Sequence, residues 1–140
     1  MQVSSIARIN IKWQVEETVM LRISLSQSGA ISRAGDGESD QLTSRMYMGR
    51  IETEIFDALI AKFDPKWIEE AGRYTMPQAA GQHCCLTLSF EAESDELGVE
   101  FIYQSEGHGP PEDLVEFVEL ALSLSDDWYG EMLEKHPKNR

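Results

Sequence analysis

The sequence predicts an α+β fold in two layers, an antiparallel sheet of about five strands built from two hairpins and covered on one face by three to four helices. Three observations predict it. Apolar and polar residues alternate in several separate stretches, the period of a half-buried strand. Helical stripes lie between the two pairs of alternating stretches and again after the last of them. The chain of 140 residues is close to the commonest size of a single domain with one core, so residues 1–140 read as one domain, with a frayed tail over about 136–140.

The first strand runs from about Ile6 to Val15, with Ile9, Ile11, Trp13 and Val15 on one face and Asn10, Lys12 and Gln14 on the other. After "EET", a second alternation sets Val19, Leu21, Ile23 and Leu25 against Arg22, Ser24 and Ser26. So short a connection predicts antiparallel pairing. Gly29 in "QSGA" marks a turn, and "AISRA" is a short, edge-like third strand.

"GDGESDQ", residues 35–41, is a polar loop. Asp36, Glu38 and Asp40 have the spacing of the first three ligands of an EF-hand calcium loop. Gln41 stands where that loop needs glycine, however, and Tyr47 where it needs a bidentate glutamate. "RMYMGRI" returns to the sheet with Met46, Met48 and Arg50 on one side.

"ETEIFDALIAKF" predicts a helix. Glu52 and Glu54 favour the positive end of its dipole, and Ile55, Phe56, Leu59, Ile60 and Phe63 form its core stripe. Asp64-Pro65 ends it and opens a short helix, "PKWIEEAG", with Asp64 as cap. "RYTMPQAAGQH" reads as an irregular connection. The next strand places Cys84, Leu86, Leu88 and Phe90 on one face and Cys85, Thr87, Ser89 and Glu91 on the other. A turn leads to "VEFIYQ", with Val99, Phe101 and Tyr103 on one side, and the two strands form a hairpin. Pro111 and the acids after it start a helix whose apolar face holds Leu114, Val115, Phe117, Val118, Ala121 and Leu122. A final helix is expected from Ser125 or Asp126 to the basic end.

Charge is distributed unevenly. Residues 1–73 hold 11 acidic and 9 basic side chains, residues 74–134 hold 14 acidic and no Lys or Arg, and the last six residues add three positive charges, for a net −13. An anionic half of this kind disfavours nucleic acid and anionic membranes and favours a basic partner. The start carries no charged segment leading into an apolar one, and no apolar run approaches the roughly 20 residues of a membrane span, so a cytoplasmic address is expected.

"GQHCCLTLSF" is the stretch closest to metal or redox chemistry. Adjacent strand residues point to opposite faces, so Cys84 and Cys85 cannot share an ion, and a site of this kind spaces its cysteines by two to four residues. One cysteine is expected buried, the other on the opposite face, with no metal and no cofactor. No phosphate-binding, dinucleotide-binding, nucleophile-elbow or zinc-protease motif occurs.

The expected function is a non-enzymatic acidic binding protein, an inhibitor or immunity-type protein for a basic partner, acting as monomer or homodimer. Its partner surface is expected at Glu91, Glu93, Asp95, Glu96, Glu100, Glu112, Asp113, Glu116 and Glu119. One alternative is a small-molecule site or an enzyme near residues 72–83 and 105–110, using His108, Glu106, His83 and Tyr74. A second alternative is a homodimeric assembly protein joined through edge strands.

Overall fold

Strand β1 (Arg8–Val15) pairs antiparallel with β2 (Thr18–Ser26) across the two-residue turn Glu16-Glu17, where Glu16 takes φ 54°. A bulge between Trp13 and Gln14 leaves Met20 as the extra residue of β2, which explains why both Met20 and Leu21 are buried. Gly29 turns the chain into β3 (Ala30–Ala34) at φ 92°, and a Cβ there would meet the Ile51 carbonyl oxygen at 2.5 Å. The remaining elements are β4 (Tyr47–Arg50), α1 (Thr53–Ile60), α2 (Lys66–Glu70), β5 (Gly72–Tyr74), β6 (His83–Glu91), β7 (Glu96–Gln104) and α3 (Glu112–Lys135). This computed structural model describes residues 5–35, 46–74, 81–93, 95–104 and 109–135. The polar loop beyond Gly35 and the expected tail lie outside the described residues.

The α+β class stands, with a larger sheet and fewer helices than expected. The sheet order is β4-β3-β2-β1-β6-β7-β5, in which six strands pair antiparallel and the short β5 lies parallel to β7. β5 falls in the stretch expected to be irregular; with three residues it is too short to show a period of two. The strand "AISRA" is not an edge, because β4 pairs outside it. Two helices exceed one or two turns, α1 and α3, with the five-residue α2 beside them. Pro65 is the N-cap of α2, and Asp64 before it accepts the Lys66 amide at 3.0 Å.

Register stacks the inward side chains in rows across the strands. One row is Leu25–Ile9–Phe90, the next Ile23–Ile11–Leu88–Val99, and the third Leu21–Trp13–Leu86–Phe101. α1 and α2 cover the Phe90 end: the Phe63 ring lies 4.6 Å from Phe90 and 5.8 Å from Trp67. α3 crosses the strands. Gly109, just before it, approaches Tyr103 of β7, Phe117 packs 5.3 Å from Trp67, and Tyr129 meets Tyr47 of β4 at 5.9 Å. Leu114, Phe117, Ala121, Ser125 and Tyr129 form its buried stripe.

The two helices expected at the C-terminus are therefore one. Ser125, read as a cap, lies inside it and donates to the Ala121 carbonyl at 2.8 Å. The same hydroxyl accepts from Arg33, which is 1% exposed. Arg33 Nη1 reaches Ser125 Oγ and Asp126 Oδ1, both at 2.9 Å, and Nε donates to the Gly35 carbonyl at 3.0 Å. Its guanidinium stacks 4.2 Å from the Tyr129 ring centre, and the Tyr129 hydroxyl accepts the Gly35 amide at 3.1 Å. Among the described residues, no helix is long and apolar enough to cross a membrane.

This clamp predicts an asymmetric pair of variants. Asp126→Ala leaves a buried guanidinium without its carboxylate and costs about 2 kcal/mol, less than for a fully buried pair because Asp126 is itself 61% exposed. Arg33→Met removes the buried charge and keeps much of the packing, so it costs less. Urea unfolding of both variants checks the order; a larger loss in Arg33→Met contradicts it.

Candidate functional site

α3 presents two adjacent apolar stripes. Leu114, Phe117 and Ala121 face the core, whereas Val115, Val118 and Leu122 face the third row of the sheet. α1 and α2 pack on the other flank of α3, and among the described residues no helix covers this one. The result is a cleft of about 710 Å³. Its floor is Leu21, Trp13, Leu86 and Tyr103, contributed by four neighbouring strands; its wall is Val115, Val118 and Leu122; Pro110 lies at one end.

The polar groups of the cleft are few. Trp13 Nε1–H donates to the Tyr103 hydroxyl at 3.0 Å, which fixes both rings in the floor. Glu119, Ser123 and Asp126 line the helix side, and all three are exposed. Asp126 thus serves both the Arg33 clamp and the cleft rim. A site with an apolar floor and anionic rim suits a ligand with an apolar body and a positive end.

Beside Tyr103 in the next cross-strand row lies Cys84, buried between Val15 and Tyr103. Burial pushes its thiol above the ordinary value, against a hydrogen bond from Tyr103 that lowers it, and Glu16 adds a further upward push. Burial likewise raises the Tyr103 phenol, opposed by its bond to Trp13. Cys85 points to the opposite face, half-buried, with Sγ 3.7 Å from Thr87 Oγ1. The two thiols are free and on opposite sides of the sheet, as strand geometry requires.

Of the four residues singled out from sequence for a ligand site, His83 does not line the cleft. His83 opens β6 with an exposed side chain, and its amide donates to Glu16 at 2.9 Å. Tyr74 ends β5. Glu106 and His108 lie outside the described residues. The nine acids of the expected partner surface fall into separate groups. Glu91, Glu93, Asp95 and Glu96 stand at the β6–β7 turn, Glu100 on the open face of β7, and Glu112, Asp113, Glu116 and Glu119 on α3, which starts near the far end of β7. Only Glu119 borders the cleft. Among the described residues no cluster of three or more His, Cys, Asp or Glu has metal-site geometry. The unusual width of the apolar face of α3 was the sequence signal for the cleft, since two stripes exceed what one contact with the sheet needs.

No protein-family model matches the chain, and no curated protein matches it either.

The raised thiols and phenol predict an alkaline weakness. A group whose folded value is raised binds its proton more tightly when folded. The stability it contributes is fully present below about pH 9 and is lost as pH rises through the folded-state values. The urea midpoint, measured under reducing conditions from pH 7 to 10.5, should fall above pH 9. Tyr103→Phe should lower the midpoint at pH 7, through a lost hydrogen bond of about 1 kcal/mol, yet flatten the alkaline fall. A flat wild-type profile contradicts this.

Proposed function

We propose that this protein is a non-enzymatic binding protein of the inhibitor or immunity type, which captures a basic partner by seating an apolar anchor in the cleft beside α3. The observation that carries the reading is an apolar cleft whose charged lining groups, Glu119 and Asp126, are both carboxylates. Around it, α3 exposes Glu112, Glu116, Asp127, Glu131 and Glu134. Acids on the approach speed association with a cationic surface, and a buried anchor supplies residence time.

A small-molecule ligand is the second reading, favoured by one observation: about 710 Å³ lies within the range of roughly 300–1,000 Å³ typical of ligand pockets. It keeps the same floor and assigns the anionic rim to a cationic head group. The two readings differ in what lies beyond the rim, because only a macromolecular partner contacts the rest of α3.

Calorimetry with short cationic peptides, with and without a central tryptophan, tests the first reading. Burying the anchor is worth roughly 1.5–3 kcal/mol, so the anchored peptide should bind about tenfold or more tightly. Raising salt from 50 to 300 mM should weaken both peptides, as the Debye length shortens. Glu119→Lys should weaken binding most, and Glu116→Lys or Glu131→Lys should weaken it less. Salt-indifferent binding, or equal affinity with and without the anchor, sinks the reading. Loss confined to Glu119→Lys, with charge reversals elsewhere on α3 silent, moves the assignment to a small ligand.

A further inference from the structure

The face of the sheet turned away from the helices carries its charges in two zones. On β1 to β4 its outward positions hold Arg8, Lys12, Arg22 and Arg50 and, among the described residues, no carboxylate. Acids appear only further along the sheet, at Glu91 of β6 and at Glu96 and Glu100 of β7. Among its described residues, a molecule of net charge −13 thus keeps a positive patch on one half of its open face.

Two of those cations are set against each other. Lys12 and Arg22 are direct cross-strand neighbours in the β1–β2 register, an arrangement of like charges that destabilises a sheet. Arg8 has Glu91 as its cross-strand neighbour, and Arg50 donates to the Ser28 carbonyl at 3.2 Å. Lys12 and Arg22 have no hydrogen-bond or ion-pair partner among the described residues, where the ion pairs are Arg33–Asp126 and Lys66–Asp64. Both line a depression of about 290 Å³, whose other walls include Ser24, Ser32, Thr87 and Ser89. Asn10 is there too, its amide donating to Glu91.

We propose that this depression binds the phosphoryl group of a small phosphorylated molecule. Two opposed cations match a dianion, which converts their mutual repulsion into shared attraction. The Arg22 fork suits two oxygens of one phosphoryl group, and Lys12 acts as a point charge on the third. The four hydroxyls supply the remaining donors. This is more donors than the two oxygens of a carboxylate accept, and it selects the phosphoryl group. The acids on β6 and β7 turn away a polyanion that would extend across the sheet, so the ligand is small. The site lies on the opposite side of the sheet from the cleft and is independent of its occupant.

Amide-resolved NMR titrations of the full chain with inorganic phosphate, glycerol 3-phosphate and malonate, at constant ionic strength and pH 7.5, test the proposal. Saturable shifts centred on Lys12, Arg22, Ser24 and Thr87 are expected for the two phosphates, with a Kd of about 1 mM. Malonate should bind about tenfold more weakly. Arg22→Lys keeps the charge and loses the fork, and should weaken phosphate several-fold; Lys12→Met with Arg22→Gln should abolish saturation. The double variant should melt no lower than the wild type without ligand, since it relieves the like-charge pair. If it melts lower, Arg22→Lys decides. Non-saturating shifts, equal binding of malonate, or unchanged affinity in Arg22→Lys overturns the proposal.

Discussion

The Arg33 guanidinium is the constraint on which the rest of the arrangement depends. It sits at an inward position of β3, across from Ile23, where an apolar residue would extend the second core row. Instead it gathers Ser125, Asp126 and Tyr129 from successive turns of α3, and Gly35 ties the same ring to the end of β3. The apolar stripe of α3 weakens toward this end, passing from Phe117 to Ala121 and Ser125. A polar clamp replaces hydrophobic contact there. With Phe117 wedged between Trp67 and Phe90 near its start, α3 is held at both ends and cannot swing over the third row of the sheet.

That fixed line of α3 explains the cleft. Three helices cover the first two rows, and the third row meets the flank of α3, where Leu21 and Leu86 are buried and Trp13 stays partly exposed. Asp126 couples the two features, because a cationic ligand at the rim and Arg33 draw on the same carboxylate. On the other side of the sheet the described residues are positive over β1 to β4 and acidic over β6 and β7, so the acidic total of the chain conceals a divided open face. Electrostatic reasoning from net charge alone describes the helical face and misdescribes the open one.

Much of the fold was readable because β1, β6 and β7 alternate cleanly and their inward residues are those the pattern names; in β2 the bulge buries Met20, where the pattern named Val19. Asp64 and Pro65 likewise announced the start of α2, although α1 stops at Ile60, short of the Phe63 the pattern reached. The misses have physical causes. Ser125 and Asp126 resemble a helix cap in sequence, and only a tertiary partner, Arg33, turns them into interior positions. Arg33 itself was masked by the ordinary expectation that arginine faces water. The cleft was less legible still. Its residues were read as inward, which most are, but whether a helix covers a row depends on where α3 lands, and that depends on the clamp. Cys84 and Cys85 are a strand's two faces, as the alternation implied, and the exposed His83 stands apart from the cleft.

Hydrogen exchange along α3 tests the clamp most directly. A helix end held only by its own backbone bonds frays and exchanges quickly, whereas one bolted to the sheet opens with the core. The account predicts that amides of Ser125 to Tyr129 exchange as slowly as those of β1 and β6. Fast exchange in that segment of the wild-type protein, with slow exchange persisting around Phe117, contradicts it.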